Sequence, residues 1–61
     1  MNNIKKFRLE KNITLKQLAL ITNISMGYLS HLENGTRKNP SYAIMKKIAI
    51  AFDKDISLIF P

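Results

Sequence analysis

The chain has 61 residues, no cysteine and a formal net charge of +6, with 46% hydrophobic and 23% charged residues. At that length a domain buries only about 60% of the surface its unfolded chain exposes, and no disulfide or thiolate metal site can supplement the core. Neither the basic N-terminus, which no apolar run follows, nor the longest apolar run, Ile48 to Phe52, has the form of a secretory signal or a bilayer span, so one cytoplasmic domain over 1–61 is expected.

Five helices and no strands are predicted. The first runs from about Asn3 to Lys11, with Ile4 and Phe7 inward and lysines outward; Asn12 closes it and Ile13 packs as the chain turns. Thr14, with Gln17 three residues on, forms a reciprocal capping pair that starts a second helix, about Leu15 to Thr22. Leu15, Leu18 and Ala19 give it an apolar face, and Leu20 and Ile21 are expected to pack partly against neighbouring helices. Asn23 ends it, because asparagine tolerates a left-handed helix end. Ser25 caps a third helix, about Met26 to Asn34, which buries Leu29 and Leu32 and stops at Asn34-Gly35. Gly35 to Pro40 is a polar, basic loop with turn chemistry at both ends. Ser41 caps a fourth helix, about Tyr42 to Phe52, with Ile44, Ile48, Ala49 and Phe52 on one face. Asp55 caps a last short one, Ile56 to Phe60. Met45, Ile50, Leu58, Ile59 and Phe60 are assigned mostly to the core, with some available for a dimer surface.

Two short capped helices joined by a tight turn can hold the second out from the body at an angle that fits the major groove of DNA. The charge is distributed accordingly. Residues 1–40 carry seven basic side chains against Glu10 and Glu33, a net +5, whereas residues 41–61 carry three against Asp53 and Asp55, a net +1. The excess travels with the helix pair, as a surface that displaces counterions from phosphates requires.

The pattern Thr14-x-x-Gln17-Leu18-Ala19, then Ile24-Ser25-x-x-Tyr28-Leu29-Ser30-x-Leu32-Glu33-Asn34-Gly35, then Arg37 and Pro40-Ser41, resembles the phage repressor/Cro-type (XRE-like) helix-turn-helix family. The resemblance extends from Ile4 to Phe60. It implies an all-α, five-helix, lambda-repressor-like domain that binds double-stranded operator DNA as a symmetric homodimer and regulates transcription, as a repressor. It further implies base reading by Met26, Gly27, Tyr28 and His31. Backbone contacts would come from Lys16, Gln17 and Ser25 around the start of the helix pair, and from Asn34, Thr36, Arg37 and Lys38 after it. Arg8 and Glu33 match a pair that forms a structural salt bridge in some phage repressors. The ring of Tyr28 has a second reading, packed on the domain body with its hydroxyl on a phosphate.

Two base-reading positions depart from the common pattern, which favours Arg, Gln, Ser or Asn. Met26 can offer a thymine methyl only apolar contact. Gly27 permits close backbone approach but weakens its helix by roughly 0.5–1 kcal/mol relative to alanine. Direct readout then rests on His31, with Tyr28 or Lys16. No residue pattern supports a metal, a cofactor, a small-molecule site or catalysis: a second histidine, a cysteine nucleophile and a glycine-rich phosphate loop are all missing from the sequence. The rival reading is a protein-interaction module on the same fold, antitoxin-like or a co-regulator, docking through Leu20, Ile21 and the C-terminal apolar turn.

Overall fold

Three of the five helices among the described residues begin at a side chain that accepts a backbone N–H. In the computed structural model, which describes residues 2–61, α1 spans Ile4–Glu10, α2 Leu15–Thr22, α3 Met26–Glu33, α4 Tyr42–Phe52 and α5 Ile56–Ile59. Thr14 Oγ1 accepts from Gln17 N at 3.0 Å while Gln17 Oε1 accepts from Thr14 N at 2.7 Å, a complete capping box on α2. Ser25 Oγ accepts from Tyr28 N at the start of α3, and Ser41 Oγ from Ile44 N at the start of α4. Asp55 occupies the N-cap position of α5 but makes no side-chain cap bond, a departure from its expected role; only its backbone starts that four-residue turn.

Left-handed residues follow α1, α2 and α4, and a fourth, Asn39, turns the loop before α4. Asn12, Asn23, Asn39 and Asp53 all have φ between 54° and 58°, the region where Asn and Asp are the best-tolerated side chains after glycine. Between α2 and α3 the buried Thr22 completes the turn. Its hydroxyl donates to the Leu18 carbonyl at 2.8 Å and accepts from Ile24 N at 3.3 Å, so this buried polar group is paired both ways.

One core joins all five helices. Ile4, Leu18, Leu29, Leu32, Ile48, Phe52 and Ile59 are fully enclosed, and every helix supplies at least one of them. Helix α4 lies against α1, α2 and α5, while α2 and α3 pack on each other. The N-terminus is stitched to distant elements by backbone-directed bonds: Asn3 N donates to the Ile59 carbonyl and Asn3 Nδ2 to that of Leu58, both at 2.8 Å, and Asn2 Nδ2 donates to the Leu32 carbonyl at 3.0 Å.

Four apolar residues lie outside the positions expected for them. Leu20 and Ile21 do not pack under neighbouring helices; they are 75% and 59% exposed. Ile50 and Leu58 are not core; they are 69% and 51% exposed. For Leu20 and Ile50 the cause is helical phase. At roughly 100° per residue, Leu20 lies about 200° round from the enclosed Leu18, and Ile50 stands in the same relation to Ile48. Lys54 places its ammonium 5.4 Å from the Phe7 ring centroid, so its stem and charge cover that aromatic edge of the core.

Candidate nucleic-acid interface

Helix α3 buries one side and presents the other. Leu29 and Leu32 are fully enclosed, while Met26, Gly27 and His31 are exposed, so three of the sequence-proposed readers lie on the free face. Gly27 has no heavy atom within 4 Å of where a Cβ would stand, which leaves the helix backbone accessible at that point. Tyr28 is different: it is half-buried and packs against the core.

The flanking polar residues fall into two groups. At the start of α3, Lys16, Ser25 and Met26 line one shallow groove, so a lysine of α2 shares a surface with the exposed N-terminal turn of α3. Ser25 has its hydroxyl oxygen engaged by Tyr28 N, and Gln17 has its Oε1 engaged by Thr14 N. Each retains free donors, the Gln17 amide hydrogens and the Ser25 hydroxyl hydrogen. At the other end, Asn34 Oδ1 accepts from Thr36 N at 2.9 Å and shapes the turn that carries Arg37 and Lys38 into solvent. Arg37 N donates to the His31 carbonyl at 3.0 Å, fastening this loop to the last turn of α3. The Arg37 guanidinium lies 5.2 Å from the Tyr28 ring centroid. Nothing in the sequence pointed to that contact, because the two residues are nine apart and meet only once the loop folds back.

Arg8 and Glu33 hold α1 to the end of α3. Arg8 Nε donates to Glu33 Oε2 at 2.6 Å and Nη2 to Oε1 at 3.2 Å, while Nη1 reaches the Ile13 carbonyl at 3.0 Å. This two-point geometry has an electrostatic consequence. Glu33 is the only acidic residue between Lys11 and Phe52, and its charge is neutralised by Arg8. The surface built from α2, α3 and the following loop is therefore left with cations and free donors, which is what a polyanion requires.

The helix-turn-helix family model matches residues 4–59. The chain belongs to the helix-turn-helix family. Its all-helical architecture fits the lambda-repressor-like form of that fold. It is 40% identical over 57 residues to an uncharacterized HTH-type transcriptional regulator, YqaF, of Bacillus subtilis (strain 168), an overlap of 93% of this chain and 74% of that protein. It is 32% identical over 57 residues to the HTH-type transcriptional regulator SlrR of the same organism, covering 93% of this chain and 38% of SlrR. With the HTH-type transcriptional regulator SinR of Bacillus licheniformis it shares 32% identity over 53 residues, 87% of this chain and 48% of SinR. This helix-turn-helix chain thus spans less than half the length of SlrR and SinR. No helix among its described residues is long and apolar enough to cross a membrane.

Proposed function

We propose that this helix-turn-helix protein is a sequence-preferring DNA-binding regulator, a repressor that acts in the cytoplasm by occupying operator DNA. The observation that carries the reading is the exposed face of α3, bare of acidic groups and framed by Lys16, Arg37 and Lys38. In this reading α3 enters the major groove with Met26, Gly27 and His31 toward base edges. Lys16, Gln17 and Ser25, with Asn34, Thr36, Arg37 and Lys38, hold phosphates on either side. His31 is the hydrogen-bonding reader; Met26 discriminates only by apolar contact.

One copy measures 23 × 22 × 18 Å and so falls short of the roughly 34 Å that separates successive major-groove half-sites on one face of the duplex. Two copies are needed to reach both. Support for a homodimer comes from α4 and α5, where Ile50 and Leu58 are exposed and a groove lined by Tyr42, Ile50 and Ile56 is bordered by Lys46, Lys54, Asp53 and Asp55. Elsewhere two copies carrying +6 each repel; here both signs are present, so a two-fold pair can set the lysines of one copy against the aspartates of the other.

The deciding test is selection of bound duplexes from a random DNA pool at two salt concentrations. Recovery of a short two-fold symmetric motif is expected, with affinity falling steeply as salt rises. Absence of binding even at low salt would sink the reading. With His31→Ala the preferred bases should change at one position in each half-site, and an unchanged motif would remove His31 as a reader. Gly27→Ala is expected to act in opposite directions on fold and binding. Open space and an ordinary helical backbone at Gly27 should let alanine stabilise the domain by about 0.5–1 kcal/mol, visible as a raised melting temperature. If the Gly27 backbone approaches the bases, the added methyl weakens DNA binding; unchanged affinity would place Gly27 away from the groove.

A second reading draws on Leu20 and Ile21, whose exposure fits a protein-interaction surface. Partner binding there would respond little to salt, the reverse of the DNA expectation.

A further inference from the structure

Arg37 is unusual among the cations proposed for the interface because its side chain already has a fixed partner. The backbone of Arg37 is tied to the last turn of α3 through the His31 carbonyl, and its guanidinium lies over the Tyr28 ring at 5.2 Å. The single ion pair among the described residues is Arg8–Glu33, so Arg37 carries no carboxylate partner there. Tyr28 is itself immobilised. It is third in α3, its N–H is held by the Ser25 hydroxyl, and its ring is half-buried against the core.

We propose that Tyr28 is a positioning residue whose ring holds the Arg37 guanidinium over α3 before DNA arrives, so that Arg37 meets a phosphate already ordered. This rests on the DNA-binding reading and replaces base readout as the role of Tyr28. A guanidinium held over a ring by the cation–π attraction spends none of its N–H donors on a carboxylate or carbonyl, so they stay available to grip a phosphate by two parallel bonds. An arginine in a solvated loop would otherwise surrender its rotamer freedom on binding, and the contact with the ring removes part of that loss in advance. The ring is also rigid, so it fixes the cation relative to the helix that enters the groove and not merely relative to the loop.

The proposal predicts coupling without sequence readout. Affinity for a short duplex would be followed by fluorescence anisotropy between roughly 50 and 200 mM salt, with the full chain and four variants: Arg37→Ala, Tyr28→Phe, Tyr28→Leu and the Tyr28→Leu/Arg37→Ala pair. Arg37→Ala should weaken binding to all sequences alike and lower the salt slope by about 0.9. Tyr28→Phe, which keeps the ring, should bind like the parent. Tyr28→Leu should weaken binding about two- to fivefold when Arg37 is present and have no further effect when it is absent. Tyr28→Leu preserves apolar packing, and its helical circular dichroism confirms the fold before binding is read. In the free protein, the ring-current shift of the Arg37 side-chain protons should persist in Tyr28→Phe and vanish in Tyr28→Leu. Full additivity of the two substitutions would overturn the platform, as would a loss in Tyr28→Phe, which would assign the hydroxyl to DNA directly. A change of preferred bases in Tyr28→Leu would restore Tyr28 as a reader and end the proposal. Failure of the parent chain to bind any duplex would instead remove the DNA-binding reading itself, and the proposal with it.

Discussion

Replacing Glu33 with alanine should cost the fold about 3–5 kcal/mol. The pair it forms with Arg8 spans 25 residues and joins α1 to the end of α3 at 2.6 Å, with only 13% and 9% of the two side chains exposed. Removing one partner from so enclosed a pair leaves the other charge desolvated and uncompensated, which costs more than the pair contributed. A chain of 61 residues has a total stability of only about 3–9 kcal/mol, so Glu33→Ala should lose at least about a third of it. Denaturant titration followed by far-ultraviolet circular dichroism measures this directly; a loss below about 1 kcal/mol would show the pair to be as weak as an exposed one. Arg8→Ala should be at least as damaging, because the Ile13 carbonyl loses its donor as well. The combined Arg8→Met/Glu33→Leu change removes both charges and refills the space. It should recover stability to within about 1–3 kcal/mol of the parent, the remaining deficit being the unpaired Ile13 carbonyl.

The combined Ile50→Gln/Leu58→Gln change should leave the fold intact and lower affinity for a two-half-site duplex about 10²–10⁴-fold. Both residues are more than half exposed, so the monomer loses little buried surface, and glutamine is as good a helix former as its surroundings require. Net charge stays at +6, so no electrostatic change can account for weaker DNA binding. What is lost is the apolar surface proposed to hold two copies together. With it goes the gain from making the second half-site contact intramolecular. Sedimentation equilibrium should show a dimer for the parent chain and a monomer for the variant, while affinity for a single half-site stays the same. A variant that remains dimeric would move the interface elsewhere on the molecule.

The sequence by itself determined where α2, α3 and α4 begin and where α2 ends, because those decisions are local. Thr14 with Gln17, Ser25 and Ser41 each satisfy orphan N–H groups within three residues, and Asn23 closes α2 in the left-handed region. No partner beyond the next turn is needed for any of them, and each observed boundary stands within about a residue of the pattern. Core membership was legible where an apolar residue repeats in helical phase, as for Leu29 with Leu32 and for Ile48 with Phe52. It was not legible for Leu20, Ile21, Ile50 and Leu58. Hydrophobicity alone does not say how wide a strip of a short helix its neighbours can cover, and only the packing angles of α2, α4 and α5 settle that. The same limit applies to the candidate interface. The residue types and spacing brought out the exposed positions on α3 and the basic loop after it. Only the folded chain set Arg37 on the ring of Tyr28 and sewed Asn2 and Asn3 to the far ends of α3 and α5. Caps depend on neighbours along the chain. Stacking, burial and long-range stitching depend on neighbours in space, and it took the tertiary structure to choose them.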